Sequence, residues 1–192
     1  TIGQGVEASA RWPSQLSERL NDEGMAMSSP EIIARTGWTT RQLLEALDFQ
    51  NPRGPYGIVT LLIGVNNQFQ GRDIKEYRDE FVALLDQTIS LAGGEPSRVM
   101  VLSIPDWSHT PFARDQNRVQ ISSEIDLFNS VNREETERAA VRYVDITPIS
   151  REASTDEDLV AGDGLHPSER MYSRWVDVIL PEVRAMLGSP RR

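Results

Sequence analysis

Both histidines of the chain stand three residues after an aspartate, in Asp106-Trp-Ser-His109 and Asp163-Gly-Leu-His166. A carboxylate at that spacing can hold an imidazole in one tautomer and support it while it takes a proton, which is what a general base requires. The same spacing has a plainer use, an aspartate capping its own turn, and that use is the commoner one. The pattern alone therefore does not separate a catalyst from a turn. Gly37 and the pair Asn66-Asn67 add a flexible backbone position and uncharged amide donors. Cysteine is absent, which excludes thiolate catalysis, disulfides and zinc–sulfur sites.

Helices and strands in alternation must carry these residues. Residues 12–22 place Trp12, Leu16 and Leu20 at helical spacing, with Pro13 tolerated in the first turn. Residues 39–47 predict a helix with Leu43, Leu44 and Leu47 on one face, and residues 74–92 a long amphipathic helix stopped by Gly93-Gly94. Two more helices are predicted over 122–140 and 169–187, the latter interrupted or bent near Pro181. Apolar, β-branched runs predict strands at 31–34, 57–63, 98–104 and 141–146, with the second and third buried on both faces. Strands separated by helices of this length imply parallel pairing and a three-layer α/β fold, here in one domain over residues 1–192.

Ligands of open parallel sheets bind beyond the carboxyl ends of the strands. The segments that follow the predicted strands hold Gly37, then Asn66 and Asn67, then Asp106 to Phe112, then Asp163 and His166. One sheet edge thus gathers a glycine, two asparagines, both histidines and two aspartates.

Composition narrows the partners. The net charge is −9, and the basic residues Arg11, Arg35, Arg53 and Arg72 are scattered, so no nucleic-acid partner is expected. No run approaches the ~20 apolar residues of a membrane span, and no signal peptide is visible at Thr1. The lack of cysteine fits a soluble bacterial protein of the cytoplasm and equally one of the periplasm. Oligomeric state is not encoded in any feature of the sequence.

At the strand ends the chain resembles the SGNH hydrolases, also called GDSL esterases. Gly37 in Ala-Arg-Thr-Gly-Trp-Thr-Thr is similar to the glycine of that family's second block. Asn66 in Ile-Gly-Val-Asn-Asn is similar to the asparagine of the third, and Asp163-Gly-Leu-His166 to the fifth. The opening Thr1-Ile-Gly-Gln-Gly-Val6 resembles the loop that follows the Gly-Asp-Ser block, so the resemblance places the nucleophilic serine just upstream of Thr1. It also implies a flavodoxin-like parallel sheet of about five strands, whose first strand lies ahead of this chain.

The implied activity is hydrolysis of small-molecule carboxylic esters, without metal or cofactor. His166 would serve as general base and then general acid, oriented by Asp163. The backbone N–H of Gly37 and the amide of Asn66 would stabilise the tetrahedral oxyanion, and losing one such donor costs roughly 3–4 kcal/mol of transition-state stabilisation. Trp38, Trp107, His109 and Phe112 are the candidate substrate contacts. Absence of a long apolar lid segment favours short or soluble substrates. The chain departs from the family at Asn67, where the third block usually carries aspartate.

Two other readings use the same residues. A noncatalytic ligand-binding protein on this fold would lack the serine altogether. A flavodoxin-like nucleotide or flavin binder would use Gly3-Gln-Gly5 at its phosphate, but the loop lacks a Ser/Thr-rich run and leaves His166 unexplained.

Overall fold

The structure, a computed structural model, describes residues 3–188. Its helices and strands run α1 Trp12–Asp22, α2 Thr40–Gln50, β1 Val59–Leu61, α3 Val65–Phe69, α4 Ile74–Leu91, β2 Val99–Leu102, α5 Arg118–Arg138, β3 Arg142–Val144, α6 Thr147–Arg151 and α7 Glu169–Gly188. The chain divides into two compact units.

The first unit comprises Ile33–Pro105 and Gln120–Asp145. It holds a parallel sheet in the order β1-β2-β3, with Leu61 opposite Val101 and Leu102 opposite Val144. Parallel neighbours need long crossovers, and α4 and α5 supply them. All four residues of β2 are buried, as a central parallel strand requires. Asp73 starts α4 by accepting the N–H groups of Lys75 and Glu76 at 2.8 and 3.0 Å. The inward stripe of α4 is Tyr77, Phe81, Leu84 and Leu85, and the chain stops at Gly94, whose N–H returns to Ile89 O at 2.9 Å. Tyr77 packs its ring 4.6 Å from that of Phe128 on α5 and donates its hydroxyl hydrogen to Asn132. Complete burial raises the Tyr77 pKa far above its ordinary value, so the phenol stays a donor.

Of the described residues, the second unit comprises 3–32, 106–119 and 146–188. Its core is built on α1 and α7. Leu16 and Leu20 face inward from α1, and Tyr172, Trp175, Val176 and Ile179 from α7. The Tyr172 and Trp175 rings meet edge to face at 5.0 Å. Arg174 of α7 forms a two-pronged pair with Glu152, at 2.6 and 2.9 Å.

The α/β class and the parallel sheet agree with the sequence. Four details differ. Residues 31–34 form no strand and lead instead into the turn at Thr36-Gly37. Ile32 and Ile33 have β-branched propensity, but propensity makes a strand only where a ladder partner exists. The described sheet therefore has three strands, and the strand expected ahead of Thr1 lies outside the described residues, as do Thr1 and Ile2 themselves. β1 stands at one edge of those three, so Val59 and Thr60 are half-buried rather than enclosed on both faces. Finally, α7 runs through Pro181 without interruption. Among the described residues no helix is long and apolar enough to cross a membrane.

Candidate active site

In the first unit the sheet delivers Asn66 and Asn67 directly after β1, at the start of the short helix α3. Gly64 opens that helix at φ +122, and a Cβ there would lie 2.5 Å from the Tyr77 hydroxyl and 2.7 Å from Ile104 Cδ1. Only glycine lets the strand turn this sharply against its own core. Gly37 sits in the turn before α2 at φ +84 with open space around it, so glycine is required there by backbone conformation rather than by crowding.

Two parallel hydrogen-bonded ties join these segments. Asn66 Nδ2 donates to Trp38 O at 3.0 Å. Asn67 Oδ1 accepts the Thr40 N–H at 3.0 Å, while Asn67 Nδ2 donates to Thr40 Oγ1 at 2.7 Å. A primary amide carries two hydrogens, and Asn66 needs only one for Trp38. Gly37, Trp38 and Asn66 are thus assembled in one place, on the turn before α2 and the first turn of α3.

In the second unit the loop between Leu159 and Ser168 closes on itself. Ala161 N–H donates to His166 O at 2.7 Å, Gly164 N–H to Ala161 O at 2.9 Å, and Ser168 N–H to Leu159 O at 3.0 Å. Inside it, His166 Nδ1 lies 2.6 Å from Asp163 Oδ2, and Asp163 Oδ1 accepts the backbone N–H groups of Leu165 and His166, both at 2.9 Å. Partial burial pushes the Asp163 carboxyl up, but the two backbone donors and the imidazole outweigh it and hold the pKa below its ordinary value. A carboxylate on Nδ1 places the ring hydrogen there and leaves Nε2 as the basic nitrogen. Gly5 passes beside this loop: a Cβ on it would come within 3.8 Å of Asp163 Oδ2.

The other Asp-x-x-His segment is built differently. Asp106 is fully buried; its Oδ2 lies 2.9 Å from Arg151 Nε, and its Oδ1 accepts the Ser108 N–H at 3.0 Å. His109 Nδ1 is 3.6 Å from Asp106 Oδ2 and 3.0 Å from Ser108 Oγ. Asp106 is occupied as a turn cap and an arginine partner. The segment nevertheless adjoins the His166 loop, because Phe112 N–H donates to Gly164 O at 2.9 Å. Trp107 is buried with its ring 6.0 Å from that of half-exposed Phe112.

The expected residues therefore form two groups, Gly37, Trp38 and Asn66 in the first unit and Asp163, His166, Trp107, His109 and Phe112 in the second. Sequence reasoning missed Thr40 and Glu80. Thr40 donates its hydroxyl hydrogen to Glu80, which is buried on the inward face of α4. The signal was present, since a glutamate falls inside the apolar stripe Tyr77-Phe81-Leu84. Among the described residues no group of three or more histidines and carboxylates is placed to hold a metal ion.

Known proteins resemble the chain as a whole. The model of the GDSL-like Lipase/Acylhydrolase family matches residues 1–174. Among solved structures, a lipase/acylhydrolase from Enterococcus faecalis is 16% identical, with a TM-score of 0.68 over 94% of this chain and 88% of its own. An acetyl xylan esterase, AlAXEase, is 14% identical, with a TM-score of 0.69 over 93% of each chain. The psychrotrophic esterase EstA from Pseudoalteromonas sp., solved inhibited by monoethylphosphonate, is 17% identical, with a TM-score of 0.63 over 98% of this chain and 93% of its own. At these identities the likeness is one of fold. No curated protein sequence matches the chain significantly.

Proposed function

The chain belongs to the GDSL-like lipase/acylhydrolase family, and from that premise we propose that it hydrolyses short-chain carboxylic esters through an acyl-serine, with His166 as the base. The observation that carries this reading is the Asp163–His166 pair: a 2.6 Å contact on Nδ1, with the carboxylate held by two backbone N–H groups.

The steps follow from those groups. His166 Nε2 takes the hydroxyl proton of a serine upstream of Thr1 as its oxygen attacks the ester carbonyl carbon. Asp163 stabilises the imidazolium that results. The negative oxygen of the tetrahedral intermediate is held by the N–H of Gly37 and by the second amide hydrogen of Asn66. Collapse of the intermediate breaks the ester C–O bond, and His166 returns the proton to the departing alcohol. Water then repeats the sequence on the acyl-serine and releases the carboxylate. Trp38, Trp107, His109 and Phe112 are assigned to the acyl and alcohol contacts. The fold neighbour named an acetyl xylan esterase makes an acetyl ester the natural first probe.

The test is covalent labelling of the full-length protein with an alkyl fluorophosphonate, followed by peptide mapping and a p-nitrophenyl acetate assay. Adduct on a serine just upstream of Thr1, with matching loss of hydrolysis, is expected. A full-length protein that takes no label and hydrolyses no ester would be the noncatalytic binder instead.

A further inference from the structure

We propose that Glu80 is a positioning residue for the oxyanion donors, acting through Thr40 and Asn67; this rests on the reading that Gly37 and Asn66 hold the oxyanion. Three polar side chains from three helices meet inside the first unit with almost no solvent: Thr40 at 0%, Asn67 at 2% and Glu80 at 7% exposure. Burying a carboxylate is costly unless its oxygens are satisfied, so its presence in an apolar helix stripe calls for a reason.

The hydrogen-bond directions in this cluster are fixed by elimination. The Thr40 N–H can only donate, so the Asn67 atom 3.0 Å from it is the carbonyl oxygen. The Asn67 amide nitrogen then faces Thr40 Oγ1 at 2.7 Å and must donate to it. A hydroxyl has one hydrogen, and with its oxygen already accepting, that hydrogen goes to Glu80 Oε2. As a carboxylate Glu80 accepts only, and its second oxygen, which has no hydrogen-bond partner, lies 2.8 Å from Arg41 Nε in an ion pair. The chain of donation therefore runs one way, from Asn67 through Thr40 to Glu80. A charged acceptor at its end makes the Thr40 bond stronger than a neutral one would.

This chain controls more than its own members. Thr40 lies three residues after Gly37, and Asn67 adjoins Asn66. The Thr40–Asn67 tie runs beside the Asn66–Trp38 tie, and together they set the spacing between the Gly37 turn and the Asn66 amide. Oxyanion donors act only when held where the charge develops, so loosening one tie costs rate before it costs substrate affinity.

The one-way polarity yields a reversal test. Asn67→Asp places a second carboxylate on Thr40 Oγ1, whose single hydrogen cannot serve both Asp and Glu80. Adding Glu80→Gln reverses the chain: the Gln amide donates to Thr40, and Thr40 donates to the Asp. The bond count is then restored with one buried charge. The measurement is kcat and KM for p-nitrophenyl acetate in the full-length protein, well below each variant's Tm, with urea unfolding of the same variants. Asn67→Asp should lower kcat about tenfold or more with KM nearly unchanged. The double variant Asn67→Asp/Glu80→Gln should regain most of that loss, in rate and in unfolding midpoint. Thr40→Val should lower kcat without rescue by Glu80→Gln.

A double variant no faster than Asn67→Asp overturns the proposal, as does a loss confined to KM. Rescue of the unfolding midpoint without rescue of kcat would leave a structural network only and overturns the positioning role. A wild-type protein that hydrolyses no ester overturns the esterase reading and this role with it. The midpoint coupling of the same variants still reports whether the one-way network exists, so the two failures are told apart.

Discussion

Asn66 Nδ2 donates to the Trp38 carbonyl at 3.0 Å, committing one of its two amide hydrogens to the backbone beside Gly37. The side chain is thereby aimed before any substrate arrives, and the remaining hydrogen belongs to an amide that cannot swing away. Such preorganisation is what gives a donor its catalytic value. Asn66→Ala should lower kcat on p-nitrophenyl acetate by about 10²–10³ and change KM far less. A pure KM effect would mean that Asn66 binds substrate and not the oxyanion.

The two Asp-x-x-His pairs should separate kinetically. His166, paired to Asp163 at 2.6 Å, should be indispensable, and His166→Ala should abolish turnover. His109 shares Nδ1 with the Ser108 hydroxyl at 3.0 Å, and its nominal partner Asp106 is engaged by Arg151. His109→Ala should change KM and leave kcat within about threefold. Loss of turnover in His109→Ala with retention in His166→Ala would reverse the assignment.

Asp163 makes a pH prediction through its depressed pKa. A carboxyl whose folded pKa lies below its unfolded value contributes stability above the unfolded value and loses it as pH falls through the folded one. The gap in unfolding free energy between wild type and Asp163→Asn should therefore not narrow from neutral pH down to the ordinary aspartate range. It should shrink only beneath that range. A gap that closes between pH 7 and 5 would show that the carboxyl is not depressed. Urea unfolding across a pH series measures it.

Gly37 and Gly64, which flank Trp38 and Asn66 in the first unit, should fail for different reasons on substitution. Gly37→Ala meets open space, and its cost is that of a positive φ, about 1–2 kcal/mol. The protein should stay folded and lose rate. Gly64→Ala adds a collision with Tyr77 and Ile104 to the positive φ, so its destabilisation should exceed about 3 kcal/mol. Thermal or urea unfolding ranks the two, and equal losses would contradict the crowding at Gly64.

The sequence read the long elements well because each carries its own signal. α4 has the Asp73 cap, the Tyr77-Phe81-Leu84 stripe and the Gly93-Gly94 stop, all local. The segment 31–34 shows where local signal ends, since Ile32 and Ile33 favour a strand that no ladder partner completes. Asn67 shows the same limit at the site. It departs from the family's aspartate, and its partner Thr40 leads on to Glu80, a carboxylate thirteen residues further along the chain that no local pattern connects to it.

Residue type, order and the resemblance to the family's blocks made Gly37, Asn66, Asp163 and His166 candidates and suggested the chemistry that suits them. Capping, periodicity and strand-end position depend on near neighbours in sequence, and those are written in the chain. Tertiary structure alone decided which Asp-x-x-His holds a 2.6 Å pair and which has its carboxylate accepting from Arg151. It also decided the direction of the Asn67–Thr40–Glu80 chain, because a hydroxyl's single hydrogen can be assigned only once its neighbours in space are known.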